Sequence, residues 1–176
     1  MAIQPQGLVQ VYTGEGKGKT TAALGLVLRA VGWGLRSYVV QFMKGQPSGE
    51  EVALRCLAPL VTLVRFGRPG FVKPGEWTPE DRALAKEGLA QARAALLGGG
   101  YDLVILDEVN TAVAFGLLSE RAVLDLIAAR PTHVELVLTG RGATPAILAQ
   151  ADLVTRMLEE KHPYARGIPA RRGIEF

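Results

Sequence analysis

Short apolar runs alternate with longer segments of helical character along this chain. Five runs rich in valine, leucine, isoleucine or tyrosine predict strands at 8–12, 37–43, 60–66, 101–106 and 133–139. Several of these runs are continuous instead of alternating between apolar and polar positions, which is typical of strands buried on both faces. The pattern therefore predicts a sheet that is covered by helices on both sides.

Helix signals lie between the predicted strands. Residues 19–31 are apolar nearly all round, as expected for a helix that is buried against a sheet. Three further helices are predicted to begin at capping residues, namely Thr78, Ser119 and Thr144. The first of these should run to about Leu97, because three consecutive glycines follow it.

A glycine-rich loop connects the first predicted strand to the first predicted helix. It reads Thr13-Gly14-Glu15-Gly16-Lys17-Gly18-Lys19-Thr20-Thr21, which has the layout of a phosphate-binding P-loop, although Thr13 stands where the usual pattern has glycine. Glycines let successive backbone N–H groups point into one concavity, and the start of a helix favours an anion. Lys19 supplies a mobile positive charge, and the Thr20 hydroxyl can reach a magnesium ion. We predict that residues 14–21 bind a nucleoside triphosphate.

The fourth predicted strand ends in two carboxylates, Asp107 and Glu108. In P-loop proteins a carboxylate in this position helps to hold the magnesium ion. Because the P-loop also follows a strand, we expect adjacent strands to bring the loop and the carboxylates together. The sequence does not distinguish which of the two contacts the metal, and either could instead cap a helix that begins near Asn110.

The order of these elements predicts the fold class. Strands that alternate with helices imply right-handed crossovers and a parallel sheet, with ligands bound at the carboxyl ends of the strands. We expect an α/β fold, specifically a P-loop, RecA-like three-layer sandwich with a mostly parallel central sheet. No internal repeat or linker divides the chain, so residues 1–176 are predicted to form a single nucleotide-binding domain.

Composition limits the size class, the partners and the cellular compartment expected for the protein. The chain has 176 residues, is 48% hydrophobic and carries a net charge of +3, which suits a compact domain. Aromatic residues make up only 6%, without an interleaved basic and aromatic surface, so we expect no nucleic-acid partner. The single cysteine, Cys56, fits a reducing compartment, and no run reaches membrane-spanning length. We expect a cytoplasmic protein without a membrane partner.

Further short blocks follow the P-loop in a fixed order over nearly the whole chain. They are Arg29-Ala30-Val31-Gly32-Trp33-Gly34, Gln41-Phe42-Met43-Lys44-Gly45, Gly49-Glu50, Leu106-Asp107-Glu108, Leu138-Thr139-Gly140-Arg141-Gly142, Ala151-Asp152-Leu153-Val154-Thr155, Lys161-His162-Pro163 and Gly173-Ile174-Glu175-Phe176. In this order, the series closely resembles the P-loop type of ATP:corrinoid adenosyltransferase.

The resemblance implies a reaction. A corrinoid reduced to its Co(I) state attacks the 5′-carbon of ATP, forms a carbon–cobalt bond and displaces triphosphate. The resemblance further implies Mg²⁺, an electron-donating reductase as partner, and a homodimer. Because the nucleophile is the cobalt of the substrate, no serine, cysteine or histidine base is required.

The resemblance also assigns residues. Lys19, Thr20 and Glu108 are expected to be catalytic by stabilising charge on the leaving triphosphate. Thr20 and Glu108 would hold the metal ion, with Asp107 as a further candidate ligand. Arg29 is expected among the nucleotide contacts, and its alternative role is that of a surface cation near a helix end.

The longest irregular stretch, 67–78, resembles the corrin-facing loop of the family. Phe71 matches the pattern and is expected to contact the corrin, whereas Lys73 stands where some members have tryptophan. Trp77 lies four residues further on. Both aromatic residues could instead anchor the loop to the core.

Three other functions share the P-loop. The chain could be a recombinase-like or helicase-like ATPase, a small-molecule kinase in which Arg65 and Arg68 form part of a lid, or a non-catalytic nucleotide-binding module. The products formed from ATP distinguish all four.

Overall fold

The computed structural model describes residues 6–69 and 75–175. The strands in these ranges are β1 (Val9–Thr13), β2 (Ser37–Phe42), β3 (Val61–Phe66), β4 (Leu103–Asp107), β5 (Glu135–Thr139) and β6 (Leu153–Arg156). The helices are α1 (Lys19–Val31), α2 (Gly49–Arg55), α3 (Pro79–Leu97), α4 (Val109–Ala114), α5 (Glu120–Ala128) and α6 (Pro145–Ala149), followed by a 3₁₀ turn at Pro163–Arg166.

The strands form one six-stranded sheet in the order β3-β2-β4-β5-β1-β6. Every pair of neighbouring strands is parallel, which confirms the predicted α/β class and makes the described sheet parallel throughout. The five predicted strands are all present. The sequence prediction missed β6 at one edge of the sheet and the short helix α2, whereas α4 agrees with the helix start named near Asn110.

Both faces of the sheet are buried, which explains the continuous apolar runs. Along β2, Val40 packs into a core on the face covered by α3 to α6, whereas its neighbour Val39 packs into a second core against α1 and α2. Leu106 and Ile105 divide between the two cores in the same way on β4. Because side chains alternate between the faces of a strand, a strand with two buried faces needs apolar residues at every position.

The predicted helix starts are confirmed. Thr78 forms a capping box with Asp81 at the start of α3, and the side chains of Ser119 and Thr144 cap α5 and α6. The helix predicted at 19–31 packs against the sheet through Ala23, Val27 and Ala30, whereas Leu28 on its outer face is 65% exposed. Within the described residues, no helix combines the length and the apolar character that crossing a membrane requires.

The expectation that adjacent strands carry the P-loop and the acidic pair is wrong. β5 lies between β1 and β4 and pairs with both. Strand order depends on contacts between distant parts of the chain, which the local apolar pattern does not encode. The end of β5 therefore becomes part of the site.

Candidate functional site

A pocket of about 710 Å³ lies at the carboxyl ends of the strands. The P-loop residues 15–21 form one wall, and Glu108 and α4 with the residues after β5 form another. Three residues from the C-terminal part of the chain close the third side, and these are His162, Ile174 and Glu175. The pocket is thus centred on the loop that the sequence predicts to bind phosphate.

Two structural constraints explain why the P-loop needs glycine at three positions. Gly18, which precedes α1, has a φ of 115°, a conformation that favours glycine. A Cβ on Gly14 would lie 2.4 Å from the carbonyl oxygen of Met157, and a Cβ on Gly16 would lie 2.4 Å from that of Leu158. The segment after β6 therefore passes too close for any side chain at these two positions.

This contact also occupies one amide of the loop. The N–H of Gly16 donates to the carbonyl of Met157 over 2.8 Å. The N–H of Gly16 therefore holds the C-terminal segment in this structure.

Lys19 begins α1 and lies inside the loop. Its Nζ donates to the carbonyl oxygens of Gly14 and Gly16, both at 2.7 Å. Burial lowers the pKa of Lys19, and the nearby carboxylate of Glu108 opposes that shift. The first turn of α1 carries no acidic side chain, so the positive end of the helix dipole adds to this charge. The loop thus presents a concentrated positive potential to an anion.

Asp107 connects the P-loop to the acidic strand. It is 1% exposed, and its Oδ1 accepts from the hydroxyl of Thr20 at 2.8 Å and from that of Thr139 at 2.7 Å. Thr139 ends β5, so its hydroxyl bridges the gap that this strand introduces between β1 and β4.

The second oxygen of Asp107 faces the end of β2. Oδ2 accepts from Gln41 Nε2 at 3.1 Å and from Lys44 Nζ at 2.9 Å, and Lys44 also pairs with Glu50 at 3.3 Å. Burial works to lower the pKa of Lys44, but Asp107 and Glu50 outweigh it and the pKa is raised. Lys44 is therefore firmly protonated and balances a buried carboxylate.

Glu108 differs from its neighbour because it lines the pocket. Its backbone has a φ of 65°, its N–H donates to Thr139 Oγ1 at 2.9 Å, and its carboxylate accepts from the hydroxyl of Thr111. Thr111 in turn accepts from the N–H of Arg141 at 2.9 Å. The arrangement holds a charged oxygen donor at the edge of the phosphate loop.

Ion pairs line the outer rim of the pocket. Arg141 lies 3.3 Å from the carboxylate of Glu15, and Lys17 lies 2.9 Å from that of Glu175. Hydrogen bonds from Arg171 and Lys17 hold the pKa of Glu175 far below its ordinary value. The C-terminal segment is thus attached to the P-loop through charge as well as through its backbone.

The structure brings most of the predicted site residues together. Residues 15–21 and Glu108 line the pocket, and Asp107 lies directly behind Thr20. Arg29 does not line it: this exposed residue lies in the last turn of α1, roughly 15 Å from Lys19 at about 1.5 Å per residue. Its predicted nucleotide contact stays a prediction.

The predicted corrin contact, Phe71, lies outside the described residues. Trp77, the other aromatic residue of that loop, stacks on Phe115 with ring centroids 5.5 Å apart and packs against the core. Phe115 lines the pocket and Trp77 does not, so one aromatic ring faces the pocket and the other supports it from behind.

Sequence reasoning assigned no role to several residues of the site. These are Gln41, Lys44, Thr111, Thr139 and Arg141. A local signal existed for some of them, since Gln41 and Thr139 end or nearly end a predicted strand, where polar residues interrupt an apolar run. That both of these residues contact Asp107 became visible only with the strand order.

Comparisons with known proteins agree with this geometry. The sequence matches the family described as ATP:corrinoid adenosyltransferase BtuR/CobO/CobP over residues 5–176. It is similar to the corrinoid adenosyltransferase of Pseudomonas aeruginosa, with 42% identity over 99% of this chain and 86% of the relative. The corrinoid adenosyltransferase of Escherichia coli K12 is 36% identical over 99% of this chain and 88% of the relative.

The fold is similar to that of a solved structure with a distant sequence. A KaiC-like protein from Pyrococcus horikoshii superimposes with a TM-score of 0.58, covering 89% of this chain and 74% of that protein. Sequence identity is 14%, so this likeness concerns the fold alone.

Proposed function

We propose that this chain, which belongs to the ATP:corrinoid adenosyltransferase family, transfers the 5′-deoxyadenosyl group of ATP to a reduced corrinoid and releases triphosphate. The Co(I) centre of the corrinoid is the substrate nucleophile. The observation that carries this proposal is family membership over residues 5–176, because a P-loop pocket by itself does not specify the reaction.

Triphosphate binding rests on the loop and on Lys19. The carbonyls that Lys19 contacts are neutral acceptors, and a phosphate oxygen offers a charged acceptor, with which hydrogen bonds are roughly twice as strong. When ATP binds, the Lys19 ammonium group would leave these carbonyls and bind a phosphate oxygen. Catalysis then consists of holding the 5′-carbon in position and stabilising the charge that develops on the leaving triphosphate.

The residues present fit a magnesium ion. The Thr20 hydroxyl donates a hydrogen bond to Asp107, which leaves the lone pairs of the Thr20 oxygen for a cation. Glu108 places a carboxylate at the pocket. Magnesium prefers oxygen ligands and is commonly bound by one or two protein groups together with substrate phosphates and water. When bound, the ion would neutralise phosphate charge.

The pocket needs no protein base for this reaction. His162 is the histidine that lines it, and its Nδ1 accepts from the N–H of Tyr164 at 3.2 Å, which caps the 3₁₀ turn. We assign His162 a structural role. The aromatic ring of Phe115 suits a flat reactant, and Phe71 is proposed as a corrin contact on the family resemblance.

Four further properties belong to this proposal. We propose that residues 1–176 act as a single domain, that the protein is cytoplasmic and homodimeric, and that a separate reductase supplies the electron. The exposed thiol of Cys56 suits a reducing compartment. Arg29 remains the proposed additional nucleotide contact, on the family resemblance alone.

Product analysis tests the proposed reaction. With labelled ATP, magnesium and a chemically reduced corrinoid, we expect intact triphosphate and a light-sensitive carbon–cobalt bond in equal amounts. Anion-exchange separation identifies the phosphate products, and a reaction without corrinoid is the control. Because the electrophile is a carbon atom, the phosphoanhydride bonds should stay intact in both.

The same separation distinguishes the alternatives. ADP and phosphate formed at a comparable rate without corrinoid would contradict the transferase and favour an ATPase in which Glu108 orients water. ADP with a phosphorylated acceptor would indicate a kinase. Binding without turnover would indicate a nucleotide-binding module.

A further inference from the structure

Asp107 has its hydrogen-bonding capacity filled from within the protein. Four side chains donate to it, two to each oxygen, and these are Thr20, Thr139, Gln41 and Lys44. A carboxylate has about four lone-pair sites, so this buried group is saturated without any ligand. Asp107 is therefore built to orient its neighbours, and Lys44 is the one cation among its four donors.

Backbone strain surrounds this cluster on both sides. Within the described ranges, two non-glycine residues have positive φ, Met43 at 59° and Glu108 at 65°. Met43 immediately precedes Lys44, and Glu108 immediately follows Asp107. Such conformations are unfavourable for residues with a Cβ, and they persist only where the surrounding structure holds them. Their coincidence at one ion pair indicates a built arrangement.

The turn that carries Lys44 is packed tightly against the end of β3. The N–H of Met43 donates to the carbonyl of Phe66 at 2.8 Å. A Cβ on Gly45 would lie 2.0 Å from the carbonyl oxygen of Arg68, and a Cβ on Gly67 would lie 2.6 Å from the nitrogen of Lys44. The backbone of Lys44 therefore has little freedom, and its side chain is aimed at Asp107.

We propose that Lys44 is a positioning residue for the metal-bound triphosphate. Lys44 neutralises Asp107 and fixes its orientation, so that Oδ1 accepts the hydrogen bond from the Thr20 hydroxyl. The oxygen of Thr20 then presents its lone pairs to the cation. Lys44 does not line the pocket, so it acts through Asp107 and Thr20 instead of contacting phosphate. The inference rests on the proposed magnesium–ATP binding and not on the corrinoid step.

The competing role for Lys44 is purely structural, as an ion pair that ties β2 to β4. Two variants separate the roles: Lys44→Met removes the charge and keeps the length, and Lys44→Arg keeps the charge. Lys86→Met is the matched control, because it removes an exposed lysine on α3. For each protein, calorimetry measures ATP affinity with and without magnesium, and thermal unfolding measures stability.

The quantity that decides is the gain in ATP affinity on adding magnesium. Partners behind a metal ligand typically contribute about 10- to 100-fold to metal affinity, so we expect Lys44→Met to lower the gain by about that factor. ATP affinity without magnesium should stay close to that of the parent. Lys44→Arg should recover most of the gain, and Lys86→Met should match the parent.

Two results would overturn the inference. An unchanged gain with lower stability would make Lys44 a structural ion pair, and an equal loss of affinity without magnesium would make it a direct phosphate contact. If Lys44→Met does not fold, Lys44→Gln keeps a donor to Asp107 without the charge, and an unchanged gain in that variant overturns the inference equally.

The outcome is independent of the corrinoid reaction. A parent protein that shows the magnesium gain but does not alkylate a corrinoid contradicts the proposed function and leaves the role of Lys44 intact. A parent without any magnesium gain overturns the role of Lys44, whatever happens to the corrinoid.

Discussion

Carboxylates have opposite roles at the two ends of the strands, which are called here the amino edge and the carboxyl edge of the sheet. At the amino edge, each of three carboxylates accepts a backbone N–H at the start of a strand: Asp102 from Arg36 at 2.8 Å, Glu135 from Leu8 at 2.7 Å and Asp152 from Val9 at 2.8 Å. At the carboxyl edge, Asp107 instead accepts from four side chains, one of them charged. Carboxylates thus accept backbone N–H groups where strands begin, and one carboxylate orders a cluster of polar side chains where strands end.

The difference separates stability from function. A carboxylate that accepts a backbone N–H satisfies a group that the sheet leaves unpaired, and this stabilises the fold. The cluster at the carboxyl edge buries an ion pair between strained residues, Met43 and Glu108. Burying charge costs desolvation energy, and strained backbone costs more. An arrangement that costs stability next to a pocket indicates a functional constraint.

The largest expected effect is at Lys19. Lys19→Ala should lower the rate of adenosyl transfer by about 10²–10³, because the leaving triphosphate loses its main protein cation. The variant also leaves the carbonyls of Gly14 and Gly16 without their side-chain donor, so stability has to be measured beside the rate. Turnover and the unfolding midpoint are measured together, with Lys86→Ala as a control for losing an exposed lysine. Near-normal turnover would remove the P-loop from the mechanism.

The second effect compares the two carboxylates of the carboxyl edge. Glu108→Gln removes charge and keeps shape, so the magnesium concentration for half-maximal rate should rise by at least about tenfold. Its unfolding midpoint should change little, because Glu108 faces the pocket.

Asp107→Asn is the matched variant. It should lower both magnesium affinity and stability, because Lys44 loses the charge of its buried partner. If Glu108→Gln and the parent give identical magnesium curves, Glu108 is not near the metal, and Asp107 would then act on the ion through the hydroxyl of Thr20.

Local signals predicted most of the fold. The strands β1 to β5 and the starts of α3, α5 and α6 follow from apolar runs and from capping residues, which act within a few neighbours along the chain. The missed strand, β6, has four exposed residues and lies at the edge, so it lacks the apolar pattern of a buried strand. The missed helix, α2, spans 7 residues, too few to show a helical period.

The site was predictable only where a motif is contiguous. The P-loop and the acidic pair could be read from adjacent residues. The roles of Lys44 and Thr139 could not, because they depend on β2 and β5 lying on either side of β4. The contacts of Gly14 and Gly16 with the segment after β6 join distant parts of the chain, and no local pattern encodes them.

The smallest expected effect lies at the amino edge, at Asp152. Asp152→Ala removes the acceptor of the Val9 N–H at the start of β1 and should lower the free energy of unfolding by about 1 kcal/mol. β1 also carries the P-loop, but β5 and β6 pair with it on both sides up to Tyr12 and Thr13, so the loop should keep its position. Turnover and the magnesium curve should therefore match those of the parent.

Urea denaturation and steady-state rates check this expectation, with Glu87→Ala on the exposed side of α3 as the control for losing one negative charge. A variant with parental stability and impaired turnover would contradict this division, because it would give the amino edge a part in the reaction. A loss of stability without a change in rate would support the division. The position of the loop would then depend on the ladder of β1 and the cluster around Asp107, and not on how β1 begins.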